Sequence, residues 1–278
     1  MKKRILAFGD THAGHVVGLT HPRYQFRAKK GEDRTKHNKF AAVQRELWGT
    51  FDAALKRHGP FDGAIFVGDA IDGKGRRSGG TEQITTCLED QCDMAADVVN
   101  HVRLYAKRGF KVNAVYGTGY HVSGEDGEDW ENVFADRAGI DKIGSHEWVE
   151  IAGTGVVFDV KHHVGSSSIP HGRGTAILKE MLWNDLWHAD DGMQPRAHIL
   201  MRGHVHYHCV VGMPGMGGMR WAMTLPALQG MGSKYGARVC SGKVHFGVVV
   251  FEVRDDGTYD FVSEVTPIIS QRAVTTVM

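Results

Sequence analysis

The sequence predicts an α/β protein in which two mixed sheets pack face to face with helices outside, a four-layer α/β/β/α sandwich. Two patterns lead there. Short β-rich runs alternate with helical periodicity through most of the chain, which indicates a layered α/β domain. Two other segments read as hairpins, whose antiparallel strands supply a second sheet.

The first strand covers Arg4–Phe8. A helical pattern follows from Asn38 to His58, with Asn38 as N-cap and Gly59-Pro60 as its stop. The second strand is Gly63–Val67, and a long helical pattern from Thr81 to Arg108 ends at Gly109. The third strand, Lys111–Tyr116, leads to a helix at Glu128–Ala138. "EWVEIAGTGVVFDVKHH" reads as a hairpin around Gly153-Thr154-Gly155, and its second arm, Val156–Lys161, is the fourth strand. A helix over Thr175–His188 precedes the fifth strand, His198–Arg202. Gly212–Gly218 ("GMPGMGG") reads as a flexible loop. "KVHFGVVVFEVRDDGTYDFVSEV" is a second hairpin, turning at Asp256-Gly257. With no repeat, low-complexity tract or linker, residues 1–278 are expected to form a single domain.

The chain has 278 residues, 42% hydrophobic and 23% charged, which suffices to bury a sizeable core. Its formal net charge is +1, so any affinity for nucleic acid must come from a local patch. The apolar stretch of "MKKRILAFGD" falls short of the roughly 7–15 residues of a secretory signal. No apolar run approaches the ~18 residues of a membrane span. The four cysteines (Cys87, Cys92, Cys209, Cys240) form no C-x-x-C pair and are expected to be reduced thiols in a cytoplasmic protein.

The strand ends carry the chemistry. The first strand ends in Gly9-Asp10-Thr11-His12, the second in Gly68-Asp69 with Asp72 beyond it. The third ends in "GTGYH" (Gly117 to His121), the fourth in His162-His163, and the fifth in Gly203-His204-Val205-His206. Ligands of α/β sheets bind beyond the carboxyl ends of strands. Here each predicted strand delivers Asp or His to that edge, usually beside a glycine. Carboxylates with imidazoles make a hard-to-borderline ligand set suited to Mn, Fe or Zn. The set is too large for one catalytic ion with an open position and about right for two. His208, one alternation further along, reads as an ordinary polar residue.

In these blocks the chain resembles the calcineurin-like metallophosphoesterases, whose pattern runs D-x-H, G-D-x-x-D, G-N-H-D/E, a lone His, then G-H-x-H. The match spans residues 4 to 208 in order, and the tail is weakly similar to the closing strands of bacterial and phage members. The resemblance implies a metallo-dependent phosphatase-like fold and assigns roles. Asp10, His12 and His206 would hold one ion, Asp69 would bridge, and His204 with a histidine of the fourth block, His162 in preference to His163, would hold the second. His163 would then face the loop or substrate, and Asp72 would orient a ligand.

The third block departs from the pattern, because "GTGYH" lacks the asparagine that ligates the second metal. Either His121 keeps the catalytic position and protonates the leaving oxygen, with Thr118 or water filling the gap, or His121 is itself the ligand. Asp69 and His121 are thus the expected catalytic pair. The family's protein-phosphatase branch carries Arg directly after the second Asp, where this chain has Gly73, which argues against a phosphoprotein substrate.

Two basic features are placed to meet a phosphate. "HPRYQFRAKKGEDRTKH" (21–37) interleaves Arg23, Arg27, Lys29, Lys30, Arg34 and Lys36 with Tyr24 and Phe26, a composition suited to a backbone and stacked bases. The acids Glu32 and Asp33 inside it equally suit a solvated loop. "GKGRR" (73–77) sets Lys74, Arg76 and Arg77 just past the second block, and "GSSSIPHGRG" (165–174) offers His171 and Arg173 on a loop.

The expected activity is therefore that of a dinuclear metal-dependent phosphoesterase. Two divalent ions, Mn first, roughly 3.5–4 Å apart would hold a bridging hydroxide and aim it in line at phosphorus. The expected substrate is a phosphodiester of DNA, RNA or a nucleotide. The alternatives are a phosphomonoesterase acting on a small metabolite and a non-catalytic scaffold of the same fold.

Overall fold

The structure is a computed structural model that describes residues 2–29, 36–122, 129–167, 169–215, 218–231, 243–273 and 275–276. Of the residues named above, Lys30, Glu32, Asp33, Arg34, Glu128 and Cys240, and the side chains of Lys36 and Arg77, lie outside that description. Strand β1 (Lys2–Phe8) sets the plan, because from Ile5 onward it is buried on both faces. Ile5 and Ala7 point to one apolar cluster, and Leu6 and Phe8 to another. Alternate residues of a strand face opposite ways, so a central strand covered on both sides reads as a continuous apolar run.

Around β1 lie β2 (Phe61–Val67), β3 (Ala106–Val115), β4 (Lys142–Gly144), β10 (Phe246–Arg254) and β11 (Tyr259–Thr266), in the order β11-β10-β1-β2-β3-β4. Strands β1 to β4 are parallel, while the β10–β11 hairpin is antiparallel. The second sheet has the order β5-β6-β7-β9-β8, from β5 (Glu147–Glu150), β6 (Val157–Val160), β7 (Ile199–Arg202), β8 (Cys209–Gly215) and β9 (Gly218–Thr224). Here β6 and β7 are parallel. Ile5, Ala7, Ile65 and Val67 from the first sheet pack against Phe158, Val160, Ile199 and Met201 from the second.

Helices cover both outer faces. α1 (Lys36–His58) buries Phe40, Val43, Leu47, Phe51 and Leu55, a spacing of three and four that makes one apolar stripe. α2 (Leu88–Arg103) and α4 (Trp130–Ala138) join it, with the single turn α3 (Gly119–Val122) between them in sequence. α5 (Arg173–Ala189) lays Ile177 and Met181 on Leu200 and Ala222 of the second sheet. The architecture is therefore a mixed α/β sandwich of two sheets between helices, and both expected hairpins pair as read.

Four local readings are corrected. Asn38 lies inside α1 rather than capping it; its amide instead clasps the Lys29 backbone, accepting at 2.8 Å and donating at 2.9 Å. The second helix starts at Leu88, not Thr81, because the preceding segment hydrogen-bonds to the loop after β1 (Val16 N–H to Glu82 O, Ile84 N–H to Gly14 O). Gly109 ends no helix: at φ +83° it lies within β3. Within the "GMPGMGG" stretch, Gly212, Met213, Pro214 and Gly215 belong to β8 and Gly218 to β9, with Gly215 opposite Gly218, while Met216 and Gly217 lie outside the described residues. Pro214 is tolerated there because β8 is an edge strand. Among the described residues no helix is long and apolar enough to cross a membrane.

Candidate metal centre

The parallel strands β1, β2 and β3 of one sheet and β6 and β7 of the other send their carboxyl ends to a common edge. Backbone hydrogen bonds lace the ends together: Asp10 N to Gly68 O at 2.9 Å, His12 N to Asp69 O at 3.1 Å, Gly203 N to His162 O at 2.8 Å. Glycine is required where they meet. A Cβ on Gly203 would lie 2.8 Å from Asp10 Oδ2 and 2.9 Å from His162 Nδ1, and one on Gly117 would overlap the Asp69 backbone. Asp10, His12, Asp69, His204 and His206 all have φ between +43° and +69°. Among the described non-glycine residues the sole other such case is Asp191, in the turn after α5. Each such residue costs about 1–3 kcal/mol, and this kind of strain gathers where function fixes the side chain.

Three overlapping donor groups result, each with its ligand atoms within 4.8 Å of one another: Asp10, His12 and His206; Asp69, His162 and His204; and His12, Asp69 and His121. The carboxylates sit among imidazole nitrogens. Asp10 Oδ1 is 3.3 Å from His206 Nε2 and 4.0 Å from His162 Nε2, while Asp69 Oδ2 is 3.1 Å from His162 Nε2 and 3.7 Å from His12 Nε2. Burial alone would raise the pKa of both acids, but the neighbouring histidines outweigh it and hold both below the usual carboxylate range.

The histidines divide by environment. Burial would lower His162, yet Asp69 beside it raises it to about 10. Burial lowers His204 to about 4, so it stays neutral, with a lone pair to offer, at pH 7. His12 is also lowered by burial, while Asp10 raises His206 against it.

Several ring orientations are fixed from behind, as metal-binding imidazoles usually are. His12 meets Asp72 Oδ1 through Nδ1 at 3.0 Å, His162 meets Val67 O through Nδ1 at 2.7 Å, and His121 meets Asp72 O through Nδ1 at 2.9 Å. A carbonyl only accepts, so Nδ1 of His162 and of His121 carries a proton and Nε2 is the nitrogen left for a ligand; on His162 a cation there would take the place of the second proton that Asp69 favours. His162 Nε2 is wholly buried and has no hydrogen-bond partner, with Asp69 Oδ2 3.1 Å away. An orphaned buried nitrogen amid buried carboxylates fits a divalent cation. Thr118, the residue expected to fill the gap left by the missing asparagine, donates its backbone N–H to Asp69 Oδ1 at 2.5 Å and holds its hydroxyl 3.1 Å from His204 Nδ1.

The remaining sequence candidates scatter. His163 is exposed, its ring 4.7 Å from that of His204. Arg76 is exposed on a turn past Asp72, where Gly73 is clasped by Gln91 (N–H to Oε1, 2.8 Å). Arg23 engages Asp97 at 3.3 Å and covers the Tyr24 ring, so this cation is tied to the scaffold. Lys29 and Arg27 are exposed. His208 turns away from the cluster, bonding Thr224 O and Ser263 Oγ at 2.7 Å each.

One residue escaped sequence reasoning. Glu131 of α4 is fully buried and accepts the N–H of Ala70 at 2.8 Å and that of Gly117, tying the second and third blocks together. Burial, then the charge of Asp69, pushes its pKa up to about 8. The available signal was position: Glu131 shares the inner face of α4 with Phe134, Ala135 and Ala138.

No family model matches the chain, and no curated protein matches it. Among solved structures, the solution NMR structure of a Thermotoga maritima protein is similar at 14% identity, with 95% of this chain and 99% of that chain covered and a TM-score of 0.37. A likeness that shallow carries no argument about function, so the functional reading rests on the site itself.

Proposed function

We propose that the chain is a metal-dependent phosphoesterase of the calcineurin-like kind, hydrolysing a phosphodiester of a nucleic acid or nucleotide. The observation that supports this best is the convergence of Asp10, His12, Asp69, His162, His204 and His206 into overlapping donor groups, with His162 Nε2 buried and unbonded. Asp10, His12 and His206 form one ligand set; Asp69, His162 and His204 form the other. Divalent ions bound there, manganese first and iron or zinc next, would polarise phosphoryl oxygens and render water nucleophilic at neutral pH.

The protein's own groups do the rest. Asp72 orients His12, and the Val67 carbonyl orients His162. His121, held by the Asp72 carbonyl, presents Nε2 beside the cluster and in its protonated form donates from there to the leaving oxygen. Exposed His163 beside His204, and Arg76 with Arg77 past the second block, would meet the rest of the substrate. Arg27 and Lys29 are the cations of the basic segment suited to a longer polyanion, since Arg23 is engaged by Asp97. That loss of Arg23 favours a second reading, a phosphomonoesterase acting on a small metabolite.

The test is a panel of aryl phosphodiesters and monoesters given to the manganese-loaded protein. Faster cleavage of diesters, abolished by Asp69→Asn, supports the proposal. A preference for monoesters moves the second reading ahead, and no cleavage of either leaves the scaffold reading.

A further inference from the structure

The outer face of α5 is apolar. Leu182 and Trp183 are each 57% exposed, Leu186 50% and Trp187 44%. On the opposite side the helix buries Ile177, Met181 and Asn184 against the second sheet. At 3.6 residues per turn the four exposed side chains lie within one arc of about 140°. Monomeric proteins scatter exposed apolar residues singly, and a contiguous patch rich in tryptophan marks an interaction surface.

The charges on this face indicate the occupant. Lys179 and Asp190 lie near the middle of the same arc, one at each end of the patch, and both are exposed. The other ionic side chains along the helix are paired elsewhere: Glu180 with Arg202 and Lys161, and Asp185 with Arg196 and Arg220. An antiparallel pair of α5 helices centred between Asn184 and Asp185 has one self-consistent register. It sets Leu182 opposite Trp187, Trp183 opposite Leu186, and Lys179 opposite Asp190, each twice over. That self-complementarity is what a two-fold interface requires.

We infer that α5 is the docking surface for a second copy of this chain, packed antiparallel across a two-fold axis. The acids at the end of the patch, Asp190 and Asp191, disfavour an anionic lipid surface, whose amphipathic partners carry Lys and Arg beside their apolar face. The dimer is independent of the chemistry at the metal centre.

Sedimentation equilibrium of the full chain gives the mass directly, with twice 30.6 kDa expected at micromolar concentration. Leu186→Glu should yield a folded monomer that still unfolds cooperatively and whose melting temperature, unlike the parent's, does not rise with protein concentration. Lys179→Asp and Asp190→Lys should each weaken the dimer roughly tenfold or more by placing like charges opposite. The double reversal should restore the parental affinity, because this register alone pairs those two positions. The inference is overturned if the parent stays at the monomer mass at every concentration, or if Leu186→Glu still dimerises. A double reversal as weak as the singles also overturns it. So does a monomeric parent that floats with phosphatidylcholine–phosphatidylglycerol vesicles, which would assign the face to lipid.

Discussion

The Nε2 atoms of His12 and His206 approach to 3.1 Å across 194 residues of sequence. The Asp72 carboxylate accepts the Nδ1 proton of His12, which leaves an Nε2 lone pair aimed at the other ring. Asp10 Oδ1 lies 3.3 Å from the same His206 nitrogen. Two lone pairs and a carboxylate converging on one point repel unless a cation or a proton joins them. The pairing therefore explains why Asp72 matters without being in any of the donor groups. Replacing Asp72 by Asn should weaken manganese binding by roughly 10–100-fold, as loss of an outer partner of a metal-binding imidazole does. Calorimetric titration of the metal-free protein reads this, and an unchanged affinity would remove Asp72 from the account.

His206 and His208 sit two residues apart and have opposite surroundings. His206→Ala removes a donor from the cluster and should lower turnover by orders of magnitude with little change in stability. His208→Ala breaks bonds to Thr224 O and Ser263 Oγ. It should cost about 1–3 kcal/mol of stability and leave turnover of the folded protein nearly intact. Urea unfolding and steady-state rates on the two variants separate these roles. Equal losses of turnover would mean that the division within "GHVHYH" is wrong.

Glu131 gives a pH signature. Its folded pKa, about 8, lies above its ordinary value of 4.5, so the folded protein holds a proton that the unfolded chain releases. The contribution is fully present below about pH 4.5 and is lost as pH rises through 8. Glu131→Gln cannot titrate, and its amide leaves the N–H of Ala70 or of Gly117 without an acceptor. The variant should be less stable than the parent, and the gap should narrow from pH 5 to pH 8. Denaturant midpoints in chelator at both pH values test this, and a gap that widens with pH would contradict the assignment.

Much of the cluster was legible because each block sits just past an apolar strand and all but the fourth carry a glycine. Asp10, His12, Asp69, His204 and His206 could be picked out from strand ends, since parallel strands deliver their carboxyl ends to one edge, whereas the fourth strand end offered His162 and His163 alike and the choice of His162 followed the resemblance. What the residues could not tell was decided by long-range contacts. The 81–87 segment has helical periodicity, yet Val16 and Gly14 claim its backbone groups. Asn38 is a good N-cap residue by type, but the Lys29 backbone competes for the same amide. The β8–β9 hairpin was missed because glycine and proline crowd the end of β8, whose ladder is supplied by β9, itself held by β7. Arg23 looked like a free cation until Asp97, far away in sequence, was found beside it.

Metal loading measured together with hydrolysis tests the central claim most directly. Protein stripped with a chelator is titrated with Mn²⁺ while bound ions are counted and cleavage of an aryl phosphodiester is followed. The account predicts no turnover without metal, and recovery as the stoichiometry approaches two ions per chain, with Asp69→Asn remaining inactive throughout. Full turnover in the stripped protein, or no binding of Mn²⁺, iron or zinc at this site, would contradict it.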